Sequence, residues 1–203
     1  MYTKNIYKFK DTDFKFLKDG IQFDDGMPNI PWPRRWLTDV SSMLTDDAKD
    51  WLRKVGIGPG RENDSSRIFE TKPNYACNIH NDGSYNSGEL TFYNRWSINY
   101  VWGGCRNGDM VWFKELPELT KEYFKENTTL GHKPQIYDPS KLIEIERNNF
   151  IGGLALVRID IPHQVINHDP EFSRWCISIR TGVIKDASWE DSVDYFKEHL
   201  NIN

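Results

Sequence analysis

Apolar and polar positions along this chain change their period at several points, and the changes divide it. Through residue 35 short apolar pieces alternate with turn residues, including Asp24-Asp25-Gly26-Met27-Pro28 and Pro31-Trp32-Pro33. A helix is predicted over 46–55, where Trp51, Leu52 and Val55 form one stripe. Thr45 precedes it as N-cap, acids fill its first turn, and Gly56 and Gly58 stop it. From residue 67 the period shortens. Runs at 67–70, 75–79, 89–93, 96–102 and 110–113 are β-branched and aromatic and are separated by turn residues, which predicts short strands. A polar insertion over 116–140 follows, with a helix expected at 119–127 and a lid as its expected use. Strand pattern resumes at 142–145, 154–159 and 175–180. Ser188, with Asp191 three residues on, opens a last helix whose stripe is Val193, Phe196 and Leu200.

This order predicts a mainly β fold with flanking helices, either a barrel or a double-sheet jelly roll of the cupin type. The 203 residues suit one domain. We divide it into a helix-bearing N-terminal lobe (1–66), a β core (67–182) and a C-terminal helix (183–203).

Composition narrows the picture. Charged residues make up 28% of the chain and hydrophobic ones 38%, which is a globular rather than a disordered balance. No apolar run approaches the ~20 residues of a membrane span, and no apolar stretch follows the N-terminus, so a cytoplasmic protein is expected. Cys77, Cys105 and Cys176 lack metal-ligand spacing and read as reduced thiols. With a net charge of −4 and no basic stripe, duplex nucleic acid is not an expected partner. No heptad repeat speaks to oligomeric state. Pro33-Arg34-Arg35-Trp36 is the densest basic spot, and Trp32 and Trp36 are candidates to cap a pocket mouth.

The candidate chemistry starts at His80-Asn81-Asp82. In extended chain, residues i and i+2 project to one side, so an imidazole and a carboxylate point together. The bland alternative is a turn, because Asn, Asp and Gly83 all favour turns. A loop after an apolar strand is the expected setting. His163, after the run 154–159 and fixed locally by Pro162, is the expected third ligand. Two imidazoles and one carboxylate on one face of an octahedral ion leave the opposite face open, a pattern typical of non-haem Fe(II) sites. His168, His132 and His199 are expected to face solvent.

Downstream, alternation puts Arg174, Cys176, Ser178 and Arg180 on one face of a strand and Trp175, Ile177 and Ile179 on the other. An inward Arg needs an anion, and a guanidinium fork suits a carboxylate. The alternative for Arg174 is an ordinary salt bridge.

His80-x-Asp82, then His163, then Arg174 resembles the 2-oxoglutarate/Fe(II)-dependent oxygenase superfamily over about residues 67–182. The resemblance implies a double-stranded β-helix, with Fe(II) on His80, Asp82 and His163, 2-oxoglutarate held at its far carboxylate by Arg174, and O₂ as co-reactant. Arg180 lies about 20 Å further along an extended strand and is not chosen. A narrower likeness is to the aspartyl/asparaginyl β-hydroxylase-like branch, carried by His163-Gln164-Val165-Ile166-Asn167 with Arg174, and by Arg95-Trp96-Ser97-Ile98-Asn99. Some members of that branch lack a carboxylate ligand, so Asp82 is a departure from it. Short chains of this kind are also similar to phage-encoded ones. Arg95, Asn99 and Tyr75 are the further candidates for cosubstrate contact. No catalytic side chain is expected beyond the metal ligands, and the intact carboxylate favours hydroxylation over halogenation. An amino acid, a peptide side chain or another small molecule is the expected substrate. Two readings from other classes stay open at this point: a zinc hydrolase, for which no helical His-Glu-x-x-His motif supplies a base, and a non-catalytic binding or structural jelly roll.

Overall fold

The computed structural model describes residues 2–21, 34–36, 39–58, 66–87, 90–93, 95–103, 107–116, 132–149, 152–180 and 187–202. Within them the strands are β1 (Ile6–Lys8), β2 (Arg34–Trp36), β3 (Arg67–Thr71), β4 (Tyr75–Ala76), β5 (His80–Ser87), β6 (Leu90–Tyr93), β7 (Trp96–Gly103), β8 (Gly108–Glu115), β9 (His132–Ile136), β10 (Leu142–Asn149), β11 (Gly153–Arg158), β12 (His163–Asn167) and β13 (Arg174–Ile179). The helices are α1 (Val40–Met43), α2 (Asp46–Lys54) and α3 (Trp189–Phe196). None of these helices is long and apolar enough to cross a membrane.

Local chemistry sets the helix ends. The Thr45 hydroxyl accepts from the Ala48 N–H at 3.2 Å, and Asp46 and Asp47 sit in the first turn, where the exposed N–H groups favour anions. Gly56 ends the run with φ +90°, and the Tyr195 side chain lies against it where a Cβ would be. Ser188 and Asp191 form a full capping box at α3. The expected helix over 46–55 and the expected Ser188 cap are therefore both present.

The strands form two antiparallel sheets. One has the order β1-β11-β7-β13-β3-β2. The other runs β10-β8-β12-β5-β6, with β4 added to β12 and β9 to β5. The first sheet has one face toward the helices. There Trp175, Ile177 and Ile179 pack with Trp51, Leu52, Val193 and Phe196. Its other face meets the second sheet through Val101, Ala155, Val157 and Cys176, packed with Met110 and Trp112 of β8. Alternation alone explains the division, because side chains of odd and even positions leave a strand on opposite sides. Ile177 and Val193 are fully buried, and each such side chain contributes roughly 1.5–3 kcal/mol.

Described strands of the N-terminal segment join the sheet of the β core. β1 pairs with β11 and β2 with β3, so the segment supplies both outer strands of the first sheet. Ile6 joins the cluster between the sheets and Tyr7 the cluster under the helices, as neighbouring residues on a strand must. The C-terminal segment closes beside it. Lys10 donates to the His199 carbonyl and Asn201 to that of Lys8. That pairing leaves His199 half-buried instead of solvent-facing.

Two stretches of turn-forming residues are strands. His80-x-Asp82 lies within β5, and Gly108 and Asp109 open β8. Both are held by partners distant in sequence: His80 faces His163 and Ile136, while Gly108 and Asp109 face Asn167 and Ile166. Conversely, only Tyr75–Ala76 of the run 75–79 is strand. The helix expected at 119–127, together with Trp32 and Cys105, lies outside the described residues. Of the insertion 116–140, residues 132–136 form β9.

Asn167 holds the return from β12 to β13. Its buried amide donates toward the Thr71, Lys72 and Phe172 carbonyls at 3.1, 3.1 and 2.9 Å, and its carbonyl accepts from the Asp169 N–H. Asn167→Ala would strand these groups, so it is expected to lose about 1–3 kcal/mol of stability in urea unfolding. An unchanged urea midpoint would contradict that role.

Candidate metal centre

β5 and β12 run antiparallel with His80 directly opposite His163. Opposed residues share a face, and the two ring centroids are 4.6 Å apart. Asp82, two residues beyond His80, returns to the same face. One ligand atom from each of His80, Asp82 and His163 lies within 4.8 Å of the others, and all three residues are buried. His80 Nε2 is 3.6 Å from Asp82 Oδ1, a spacing that suits two donors each about 2.1 Å from one ion.

The imidazoles are set for coordination. His80 Nδ1 lies 2.9 Å from the Asn78 carbonyl oxygen and His163 Nδ1 2.9 Å from that of Ile161. A carbonyl only accepts, so each Nδ1 carries the proton and each Nε2 presents its lone pair. Burial, aided by the charge of His80, pushes the His163 pKa down to about 4 against the opposing pull of Asp82. Burial also raises Asp82, but the Arg180 guanidinium, with smaller contributions from His80 and His163, outweighs it and holds the carboxyl well below its usual range. At neutral pH the group is therefore one neutral imidazole at His163 beside one carboxylate at Asp82, ready for a divalent cation without proton release from either.

The sign of the stability effect follows from His163. Its folded pKa lies below the unfolded value, so the unfolded chain binds the extra proton first. That contribution is complete above pH 6.5 and is lost as pH falls toward about 4. The metal-free protein is expected to destabilise across this window more steeply than a His163→Gln variant. Parallel unfolding curves for the two proteins would refute it.

The triad opens onto a pocket between the sheets, with about 580 Å³ of space counting its open mouth. Asn99, Met110, Val165, Arg174, Cys176, Ser178 and Arg180 contribute to its walls. β13 thus presents the face that strand alternation predicts. Arg174 is 3% exposed, and its Nε is buried without a hydrogen-bond partner among the described residues. Gly108 makes room for it, since a Cβ there would come within 3.0 Å of Arg174 Cδ and 3.3 Å of Nε. Cys77 and Cys176 line the same space, and burial pushes both thiols up to about 11. Both cysteines feel the charges of Arg174 and Asp82, which places them within electrostatic reach of each.

His80, Asp82, His163, Arg174 and Asn99 are thus brought into one pocket. Asn99 is held there by the Ser97 hydroxyl, which donates to its Oδ1 at 2.9 Å. Tyr75 and Arg95 are not among the lining residues. Tyr75 is half-buried on β4 opposite Asn167, and the Arg95 charge acts on Asp191 in the first turn of α3, on the helix side. His168, whose side chain is 53% exposed, pairs with Asp109 away from the triad.

Arg180 is the functional candidate that sequence reasoning passed over. Its Nη2 donates to Asp82 Oδ2 at 2.5 Å. Alternation already placed it on the inward face, and a buried carboxylate ligand calls for a cation. Distance from Arg174 along the strand was a reason against a shared ligand, but not against a partnership with Asp82.

No protein-family model matches this sequence, and no curated protein matches it.

Proposed function

We propose that this chain is an Fe(II)- and 2-oxoglutarate-dependent dioxygenase on a double-stranded β-helix, hydroxylating an amino acid, a peptide side chain or another small molecule. The observation that carries the reading is Arg174. A guanidinium buried in the same pocket as a two-histidine, one-carboxylate group, with an Nε that meets no acceptor among the described residues, calls for an anion from outside the chain. A keto acid whose far end is a second carboxylate meets both needs at once. The two facing antiparallel sheets, with ligands on β5 and β12 and the cation at the start of β13, are in keeping with the proposed fold.

In this reading His80 Nε2, His163 Nε2 and Asp82 Oδ1 would hold the iron. Arg174 would pair with the far carboxylate of 2-oxoglutarate, for which a guanidinium fork is suited. Asn99 borders the same space, and Met110, Val165 and Ile159 give it apolar walls. Bound together with O₂, iron and 2-oxoglutarate supply an oxidant able to hydroxylate a C–H bond, the keto acid leaving as succinate and CO₂. A zinc hydrolase would need a general base, and among the described lining residues the only acid, Asp82, is committed as a ligand.

Two measurements on protein purified without chelators test the reading. Iron should be retained, and 2-oxoglutarate at about 100 times its Kd should add about 2.7 kcal/mol of stability in a thermal melt. Zinc retention with no response to 2-oxoglutarate would overturn it.

A further inference from the structure

The two oxygens of Asp82 are divided between two tasks. Oδ1 lies toward His80 Nε2 at 3.6 Å, in the direction of the triad. Oδ2 accepts from Arg180 Nη2 at 2.5 Å. The guanidinium is itself held in place: its Nε donates toward the Ser178 hydroxyl at 3.3 Å, and its Cζ lies over the Phe69 ring, 5.8 Å from the ring centre. The Arg180 backbone N–H donates to the Ser66 hydroxyl at 3.3 Å. Arg180 is 4% exposed and Asp82 also 4%, so water does not compete for this contact.

A carboxylate can bind a metal through one oxygen or chelate it through both. Chelation takes an extra coordination position, which would leave an octahedral ion with fewer places for outside ligands. We propose that Arg180 is a positioning residue that confines Asp82 to one-oxygen coordination and so keeps three metal positions open to ligands from solution. This rests on the function proposed above, and it assigns to a residue outside the ligand set the control of how many ligands the centre can take. Charge alone does not suffice for the task. A lysine would balance Asp82 as a point charge, whereas only the planar fork can hold Ser178, Asp82 and the Phe69 face together.

Arg180→Lys therefore separates geometry from charge. The probe is Mn(II) added to the metal-free full chain, read by the relaxation of solvent water protons. At saturation the wild type should hold three exchangeable waters and the variant two, lowering the relaxivity of bound Mn(II) by about one third. Equal relaxivity in the two proteins would overturn the proposal and leave Arg180 as a charge partner only. Should Arg180→Lys fail to fold, Phe69→Leu removes the ring face and keeps the charge. It should lower relaxivity in the same direction, and an unchanged value in folded Phe69→Leu would also overturn the proposal. A wild type that binds no Mn(II) would end both this proposal and the metal centre. A wild type that binds Mn(II) but does not lose water signal to 2-oxoglutarate would end the cosubstrate reading alone, with the comparison of the variants still deciding Arg180.

Discussion

His80→Ala is expected to abolish divalent-metal binding and, with it, all iron-dependent consumption of 2-oxoglutarate. Three donors define the centre, and His80 contacts both of the others: its ring lies 4.6 Å from that of His163 and its Nε2 3.6 Å from Asp82 Oδ1. Loss of an outer partner to a metal ligand commonly costs about 10–100-fold in affinity, so loss of a ligand itself should exceed 100-fold. Titration with Mn(II) measures this directly. A folded His80→Ala protein with wild-type affinity would remove His80 from the centre. Because His80 is packed against the pairing of β5 with β12, the folded state is checked first by far-ultraviolet circular dichroism.

Arg174→Met should separate binding from folding in opposite directions. Truncating one partner of a buried charged hydrogen-bond pair costs about 2–5 kcal/mol of binding. That corresponds to roughly 30- to 4,000-fold weaker 2-oxoglutarate. Metal affinity should stay at the wild-type level, since Arg174 is not part of the ligand group. The cosubstrate-free protein should at the same time unfold at a higher temperature than the wild type. Arg174 is buried with an Nε that has no partner among the described residues, so in the absence of an anion it is a cost to the fold that methionine does not carry. A variant that lost stability in the free state and kept 2-oxoglutarate affinity would show that Arg174 serves packing only.

Much of this arrangement was legible in the sequence because it depends on local periods. The face division of β13 follows from alternation alone, and the structure places Arg174, Cys176 and Ser178 in the pocket wall with Trp175, Ile177 and Ile179 against the helices. The helix caps at Thr45 and Ser188 depend on residues three apart and were equally readable. His80, Asp82 and His163 meet because an i, i+2 pair on one strand faces a residue on its neighbour. The first half of that statement is local and was readable, and the second is the register of β5 with β12.

What sequence reasoning missed is long-range. Nothing near Asn81-Asp82-Gly83 announces that β12 and β9 will flank it, so turn-forming residues suggested a loop where there is a strand. The short runs around Ile6 and Arg34 carry too few residues to declare their partners, yet they complete both edges of one sheet. Arg180 was judged by its distance from Arg174 rather than by the need of a buried Asp82 for a cation. Arg95 was placed by likeness to a family, and the side of the sheet that it occupies depends on α3, whose docking no local pattern reveals.

That the triad and Arg174 serve one reaction on one cosubstrate is tested by succinate formation from 2-oxoglutarate by the purified chain under air, with Fe(II) added, across a panel of amino acids and short peptides. Slow iron-dependent succinate release is expected without substrate, faster release with a productive member of the panel, and none above background in His80→Ala. Iron-dependent succinate release that persists in His80→Ala, or none above background in the iron-loaded wild type, would contradict it.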